Sequence, residues 1–552
     1  MSQNPTNSEL WLSADAMRVP EYQRIHSLSV WGDAAIWGLE FHADQTPWFT
    51  LIECLQLLTY RSISSSPLFP GPDGSNTQPE HEKQGYRVML NTNLRHLLFK
   101  DQEAARIGER EGANDSVRWQ RWIEGVRKTS PGMDFSYVEA AFSGDFLQFA
   151  ESVELLKSAE VEPFKNQRWT SRHLQPVGRA MLFPDVKRSA DGNFSLDRRF
   201  FRRTGEMLYL MLNRSGRRDE LTEHVARRVL GSDSPWNRIA RRLQGPEADV
   251  TGDQPKWVDA QTIGYLPVAR LPRYDILADD WIAILRQESI PIEDALEFLM
   301  RLSGLHQVLY IAERAAHVAG RTGSLPFVLD MSGSARNNPM QVLAAERYKA
   351  HKALLPSALD KFISSYSKIQ EWSALGDSIV DRTKAADLLA KRFSWKPKKS
   401  PNPAAHSKPG DQLLSMVNAA KTRRHDIGST FTSHARKIGL LSARQGAGTW
   451  YSPSDGLLEA LVLANVQGAM DLEQFLDVLK RRYGFVIGPE QARTASGELP
   501  VPLESLRENE RRLEERLRVL GFINRKSDDC AFVVNPFDAG LGHVGRQIHA
   551  VA

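Results

Sequence analysis

Two stretches near the end of the chain follow one local plan, and that plan narrows what this region can fold into more than any other feature. SHARKIGLLSARQGAGTWYSP at 433–453 and ERLRVLGFINRKSDDCAFVVNP at 515–536 each read as a helix end, a glycine, an apolar pair, a polar turn and a returning strand closed by proline. Gly439 and Gly521 fit the left-handed position just past a helix, where a side chain would be strained. Leu440-Leu441 and Phe522-Ile523 then open a strand, and Thr449–Tyr451 and Ala531–Val534 return it. The two glycines are 82 residues apart.

Helix, glycine, hairpin and proline in this order resemble the last helix and wing of winged helix-turn-helix domains, here in tandem. The resemblance spans roughly 411–537, about a quarter of the chain. In the first unit Leu413, Leu414, Met416, Val417 and Ala420 suit an opening helix, and Phe431, Ala435 and Ile438 an inner face. The opposite face then carries Ser429, Thr430, Thr432, Ser433, Arg436 and Lys437. Lys421, Arg423 and Arg424 precede it, and Arg444 falls at the wing tip. Short hydroxyls beside basic side chains suit phosphate and groove contacts with double-stranded DNA. Winged helices also dock proteins, so that alternative stays open.

The second unit differs. Its helix, RENERRLEERLRVL, interleaves glutamate and arginine, and Glu508–Arg512 and Glu514–Arg518 are spaced for i,i+4 pairing. Asp528 and Asp529 at its turn repel phosphate, so this unit reads as structural or protein-docking. Leu457–Val466 and the stripe Leu472, Phe475, Leu476, Leu479 join the two units into one body.

A second charged feature lies at 198–242, where twelve arginines and no lysine face five acids, a local excess of seven positive charges. Arg198, Arg199, Arg202 and Arg203 flank Phe200-Phe201, an interleaving of aromatic and cation that nucleic-acid surfaces use. Arginine favours bidentate contacts to phosphate or carboxylate alike. A buried Met207–Leu212 helix whose flanking arginines pair with acids accounts for the same pattern.

Elsewhere, Val30 to Phe41 reads as short strands broken by Gly32-Asp33 and Gly38, followed by a buried helix from Trp48 to Leu58. Residues 61–86 read as a long polar loop. Helical periodicity covers Ala104–Val126, with Trp119 and Trp122 on one face, Tyr137–Ala159, and most of 275–389. Within the last span LPFVLDM at 325–331 reads as a buried strand, and Asp330 at its end is the single weak candidate for a metal-dependent nuclease carboxylate. FSWKPKKSPNPAAHSKPG at 393–410, with four prolines and four lysines, reads as a linker. The expected layout is 1–255, an α+β region with the arginine-rich segment; 256–392, mainly helical; the 393–410 linker; and 411–552, the tandem units. The expected fold class is mixed α/β, mainly helical, in several domains.

Composition limits function. With 552 residues, 41% hydrophobic and 25% charged, the chain is of globular type, and a net charge of +4 confines any basic surface to local patches. Two cysteines give neither a disulfide framework nor a cysteine zinc site. The amino terminus lacks the pattern of a signal peptide and no run reaches about 20 apolar residues, so a cytoplasmic protein with no membrane partner is expected. GxxxxGK[ST], HExxH and GxSxG do not occur, and GLGHVG at 540–545 lacks room for a βαβ unit. No catalytic residue, metal or cofactor is assigned.

WGDAAIWGLEFHADQTPWFTLIECL, RRFFRRTGEMLYLMLNRSG and FTSHARKIGLLSARQGAGTWYSP together resemble passages of accessory proteins of bacterial anti-phage defence operons, of the methylation-associated type. That resemblance implies a non-catalytic subunit beside a methyltransferase and ATP- or nuclease-bearing partners. The reading is a DNA-binding accessory subunit, with a protein-docking scaffold as the alternative.

Overall fold

A computed structural model describes residues 28–538 except 72–84, 91, 109–113, 131, 166, 246–260, 322, 324, 333–337, 366–369, 394, 396–406, 424–426, 447, 496–499, 528 and 529. The chain is mainly helical, with short strands gathered in small sheets. Most of the 393–410 segment, residues 72–84 of the 61–86 loop and the 540–545 glycines lie outside the described residues, while Gly85–Tyr86 at the end of that loop is a short strand paired with Gln261–Thr262.

The front end departs from its strand reading. Leu28–Trp37 is a helix, not a set of strands, and Pro47–Ile63 is a second helix that contains the expected Trp48–Leu58 one. Leu28, Trp31, Ala34, Ala35, Ile36 and Trp37 are all buried, as is Asp33, so the described side chains of the first helix include no exposed polar one to mark an amphipathic period. Gly32 lies within it rather than in a turn: a Cβ there would sit 2.3 Å from Leu359 Cδ1, so glycine lets the Pro339–Ser365 helix come close. Gly38, at φ +102°, does end the helix.

The Ile292–Val318 helix is the central post. Trp37 Nε1 donates to the Ile311 carbonyl at 3.1 Å and Tyr310 Oη to the Trp37 carbonyl at 3.1 Å, fixing the front end to it. Pro47–Ile63 packs on this post and on the Thr204–Asn213 helix, which is buried throughout as Met207–Leu212 requires. At that crossing a Cβ on Gly205 would lie 2.5–2.7 Å from Glu53 Cβ, the Thr50 carbonyl oxygen and Cys54 N, so the two helices meet backbone to backbone. Trp119 and Trp122 form the expected core stripe, against Phe146 and Phe149.

Beyond the linker come the Pro409–Arg423 and Ile427–Lys437 helices and the antiparallel hairpin Leu441–Arg444/Gly448–Tyr451. Asp455–Asn465, Ala469–Asp471, Leu472–Tyr483, Leu503–Val519, Ile523–Ser527 and Cys530–Val534 follow. In their three-stranded antiparallel sheet, Cys530–Val534 lies between Ala469–Asp471 and Ile523–Ser527.

Gly439 and Gly521 both have φ +82°. Each helix closes with the same pair of bonds, Leu440 N to the Ala435 carbonyl (2.8 Å) and Gly439 N to the Arg436 carbonyl (3.0 Å), matched by Phe522 N to Leu517 and Gly521 N to Arg518. The sequences on either side of 393–410 share one hydrophobic core that runs from Leu28 to Val533. Phe327–Val328, the core of LPFVLDM, pairs in parallel with Phe485–Val486 and adds a backbone link between them.

Candidate nucleic-acid interface

The arginine-rich segment divides into an inward and an outward set. Arg198 and Arg203 turn inward, on residues with positive φ (49° and 77°), toward the buried acids Glu53 and Glu206. Glu206 accepts from Tyr86 Oη (2.5 Å), Arg203 Nε (2.9 Å) and Gly264 N (2.7 Å). Glu53 reaches across from the facing helix to the start of Thr204–Asn213, accepting from Arg203 N (3.1 Å) and Gly205 N (2.8 Å). Gln45 Oε1 accepts from Arg202 N and Thr204 N there. These are the donors a helix N-terminus leaves unpaired. Burial and the neighbouring Glu206 push the Glu53 carboxyl up to about 7. Burial opposes ionisation of Glu206 too, but Arg203 and Arg198 outweigh it and hold that carboxyl below its usual range.

Further along, Arg227 pairs with Glu288, and Arg238 and Arg241 with Asp233. Arg214 and Arg228 donate to main-chain carbonyls. Phe200 and Phe201 are buried, so their faces pack in the core rather than stand open to bases.

Arg199 is exposed and Arg202 half-buried, and there the segment meets the Ile427–Lys437 helix. The Arg199 guanidinium lies 5.2 Å over the Phe200 ring, and Phe200 stacks on Phe164, 6.1 Å away and 11° from parallel. Lys437 Nζ lies 5.6 Å over the same Phe164 ring, itself 41% exposed, and pairs with Glu162. Arg202 contacts His42 Nδ1 at 3.2 Å, while the His42 carbonyl accepts from His434 Nε2 at 3.3 Å. Burial lowers the His434 imidazole to about 4, so it is neutral there. Cations more than 230 positions apart thus share one surface around Phe164.

The hydroxyl face of the helix is only partly open. Thr430 is buried and donates to the Phe41 carbonyl at 3.3 Å; Thr432 donates to the Gly428 carbonyl and meets Tyr348 Oη at 2.7 Å. Ser433 is half-buried, and Arg436 and Arg444 are exposed. The backbone of Arg423 ends the preceding helix, and Arg424 lies outside the described residues. In the second unit Arg512 pairs with Glu508 and Glu515, both at 2.9 Å, whereas Glu514 pairs with Arg525 (3.2 Å). Asp528 and Asp529 lie outside the described residues. Asp330 is buried and accepts from Trp450 Nε1 (3.1 Å) and Ser332 N (3.1 Å). Among the described residues no three His, Cys, Asp or Glu groups converge as metal ligands.

Sequence reasoning passed over a second basic site, an arginine-lined cleft of about 480 Å³. Arg217 comes from the arginine-rich segment, Arg286 from the end of Pro272–Arg286, and Arg481 and Arg482 from the last turn of Leu472–Tyr483. The run Lys480-Arg481-Arg482 was the available signal. Beneath it Arg482 pairs with buried Asp280, which also meets His306 Nε2 (2.8 Å) and Tyr483 Oη (2.9 Å).

Comparison of the chain with protein-family models, curated proteins and solved structures gives no match. The fold and sites define a mainly helical, multidomain chain that has a composite basic surface and an arginine-lined cleft. No helix among the described residues is long and apolar enough to cross a membrane.

Proposed function

We propose that this chain is a non-catalytic accessory subunit that holds the backbone of double-stranded DNA on the surface around Phe164. The observation that carries this reading is the meeting of Arg199 with Lys437 through the stacked Phe200 and Phe164 rings, with Arg202 tied to the same helix through His42 and His434, and with Ser433 and Arg436 on that helix. Phosphate contacts of this kind position a duplex without reading its sequence. Arg444, exposed at the hairpin turn, adds a further cation.

The region 455–534 supports a winged-helix reading with one insertion: its order is helix, strand, helix, then the short Phe485–Val486 strand and Pro489–Arg493 helix, then helix, strand, strand, with the last strand central in the three-stranded sheet. The 409–451 unit is a shorter variant of the same plan. We further propose that the chain works within a multiprotein anti-phage defence assembly, the setting that its sequence resemblance implies.

A protein-docking role for the second unit is favoured by its self-paired helix, whose exposed end residues Leu503 (53%) and Val519 (81%) leave apolar surface uncovered.

The test is fluorescence anisotropy with a labelled duplex, comparing the chain with a variant carrying Arg199→Ala, Arg202→Ala, Arg436→Ala and Lys437→Ala. The expected result is tight binding that the variant weakens by at least tenfold. Equal affinity contradicts the proposal. Absence of binding by either protein, together with capture of a stoichiometric protein partner, favours the docking role.

A further inference from the structure

The arginine-lined cleft is independent of the surface around Phe164, and it has the makings of a small-molecule site. At about 480 Å³ it falls within the size range of ligand pockets. A second cavity of about 440 Å³ adjoins it, sharing Ala283, Arg286, Ala464 and Gln467. Its charge is not fully balanced by protein. Arg217 shares Glu220 (2.6 Å) and Asp279 (2.9 Å), Arg286 shares the same Glu220, and Arg482 is held by Asp280. The exposed Arg481 has no carboxylate within ion-pair distance among the described residues. Four guanidinium groups therefore converge on three carboxylates, Glu220, Asp279 and Asp280.

The lining has a polar and an apolar side. Beside the four arginines stand Asp279, Asn465 and Gln467. Ile282, Ala283, Ala464 and Val478 make up the apolar part of the wall. Guanidinium groups recognise phosphate with paired, charge-assisted hydrogen bonds, and an apolar wall suits a flat ring.

We propose that this cleft binds a phosphate-bearing small molecule of mononucleotide size, with Arg481, Arg286 and Arg217 on the phosphate and the apolar wall against the remainder. The site is separate from the DNA surface, and either reading can fail without the other.

The test is isothermal titration of the full chain with ATP, AMP and pyrophosphate, repeated on Arg481→Ala and on Arg286→Ala/Arg481→Ala. Arg481 is exposed, so matching thermal melts will show that its variant is folded. Saturable binding of a nucleotide or of pyrophosphate is expected, weakened about tenfold or more by Arg481→Ala, since each charge-assisted contact counts for at least that much. A nucleotide that binds more tightly than pyrophosphate assigns the apolar wall to the base, and equal binding assigns recognition to phosphate alone. The Arg199/Arg202/Arg436/Lys437 variant should bind the same ligand unchanged. No saturable binding to any of the three up to about millimolar concentration overturns the proposal, as does binding that the cleft substitutions leave intact. Loss of duplex affinity in Arg286→Ala/Arg481→Ala without small-molecule binding also overturns it, and assigns the cleft to the nucleic-acid surface.

Discussion

Replacing Glu206 with alanine removes the acceptor on which four groups from three segments converge. Its carboxylate is wholly buried and takes hydrogen bonds from Tyr86 Oη, Arg203 Nε and the Gly264 amide, with Arg198 3.4 Å away. The substitution leaves two guanidinium groups, a phenol and a main-chain N–H facing a void. Removing one partner of a buried, hydrogen-bonded ion pair costs about 3–5 kcal/mol, because the charge left behind keeps its desolvation penalty. The positive φ at Arg198 and Arg203 adds to the cost, because those backbone conformations persist only while the network holds them. Pulse proteolysis across a urea series measures the loss, and Arg203→Ala with the double variant completes a cycle that isolates the pair. Coupling of about 1–3 kcal/mol between Glu206 and Arg203 is expected. A loss below about 1 kcal/mol for Glu206→Ala, the level of an exposed pair, refutes the reasoning.

Other substitutions separate packing, titration and surface charge. Gly205→Ala drives a methyl into the backbone of the Pro47–Ile63 helix and should lower stability by about 1–3 kcal/mol; an unchanged melting temperature contradicts the close crossing. The Glu53 carboxyl titrates near 7 when folded and in the usual range near 4.5 when unfolded, so the folded chain holds the extra proton between those values. Its stabilising contribution is therefore full at low pH and is lost as pH rises through about 7. Glu53→Gln should flatten that part of the stability profile, and an unaltered profile counts against it. Lys437→Ala removes a half-exposed ion pair and should change stability by less than about 1 kcal/mol while weakening DNA binding, so a large stability loss with DNA affinity intact assigns that lysine to structure.

The sequence revealed local plans well and long-range partnerships poorly. Trp119 and Trp122, the long middle helices and the two glycine stops were legible because each is set by spacing or by a backbone conformation within a few residues. Leu28–Trp37 was not, since a helix whose described side chains are all buried lacks the exposed polar positions that mark a period. Gly32 misleads for a related reason: it is needed by Leu359, more than 300 positions away, and not by a local turn. The arginine-rich segment was conspicuous, but whether a given arginine faces an acid or water depends on Glu53, Asp279 and Glu288, which lie far from their partners in the chain. Thr430 and Thr432 fit a recognition face on spacing alone; Phe41 and Tyr348, which occupy them, come from distant elements. The cleft arginines escaped notice because each ends a different segment, and only packing assembles them.

The most direct test of DNA binding around Phe164 is the salt dependence of duplex affinity for the chain and for its Arg199/Arg202/Arg436/Lys437 alanine variant. Each phosphate contact adds about 0.9 to the slope of log affinity against log salt, so the variant should lose roughly 3–4 of that slope if all four cations grip backbone. Superimposable slopes for the two proteins contradict the account.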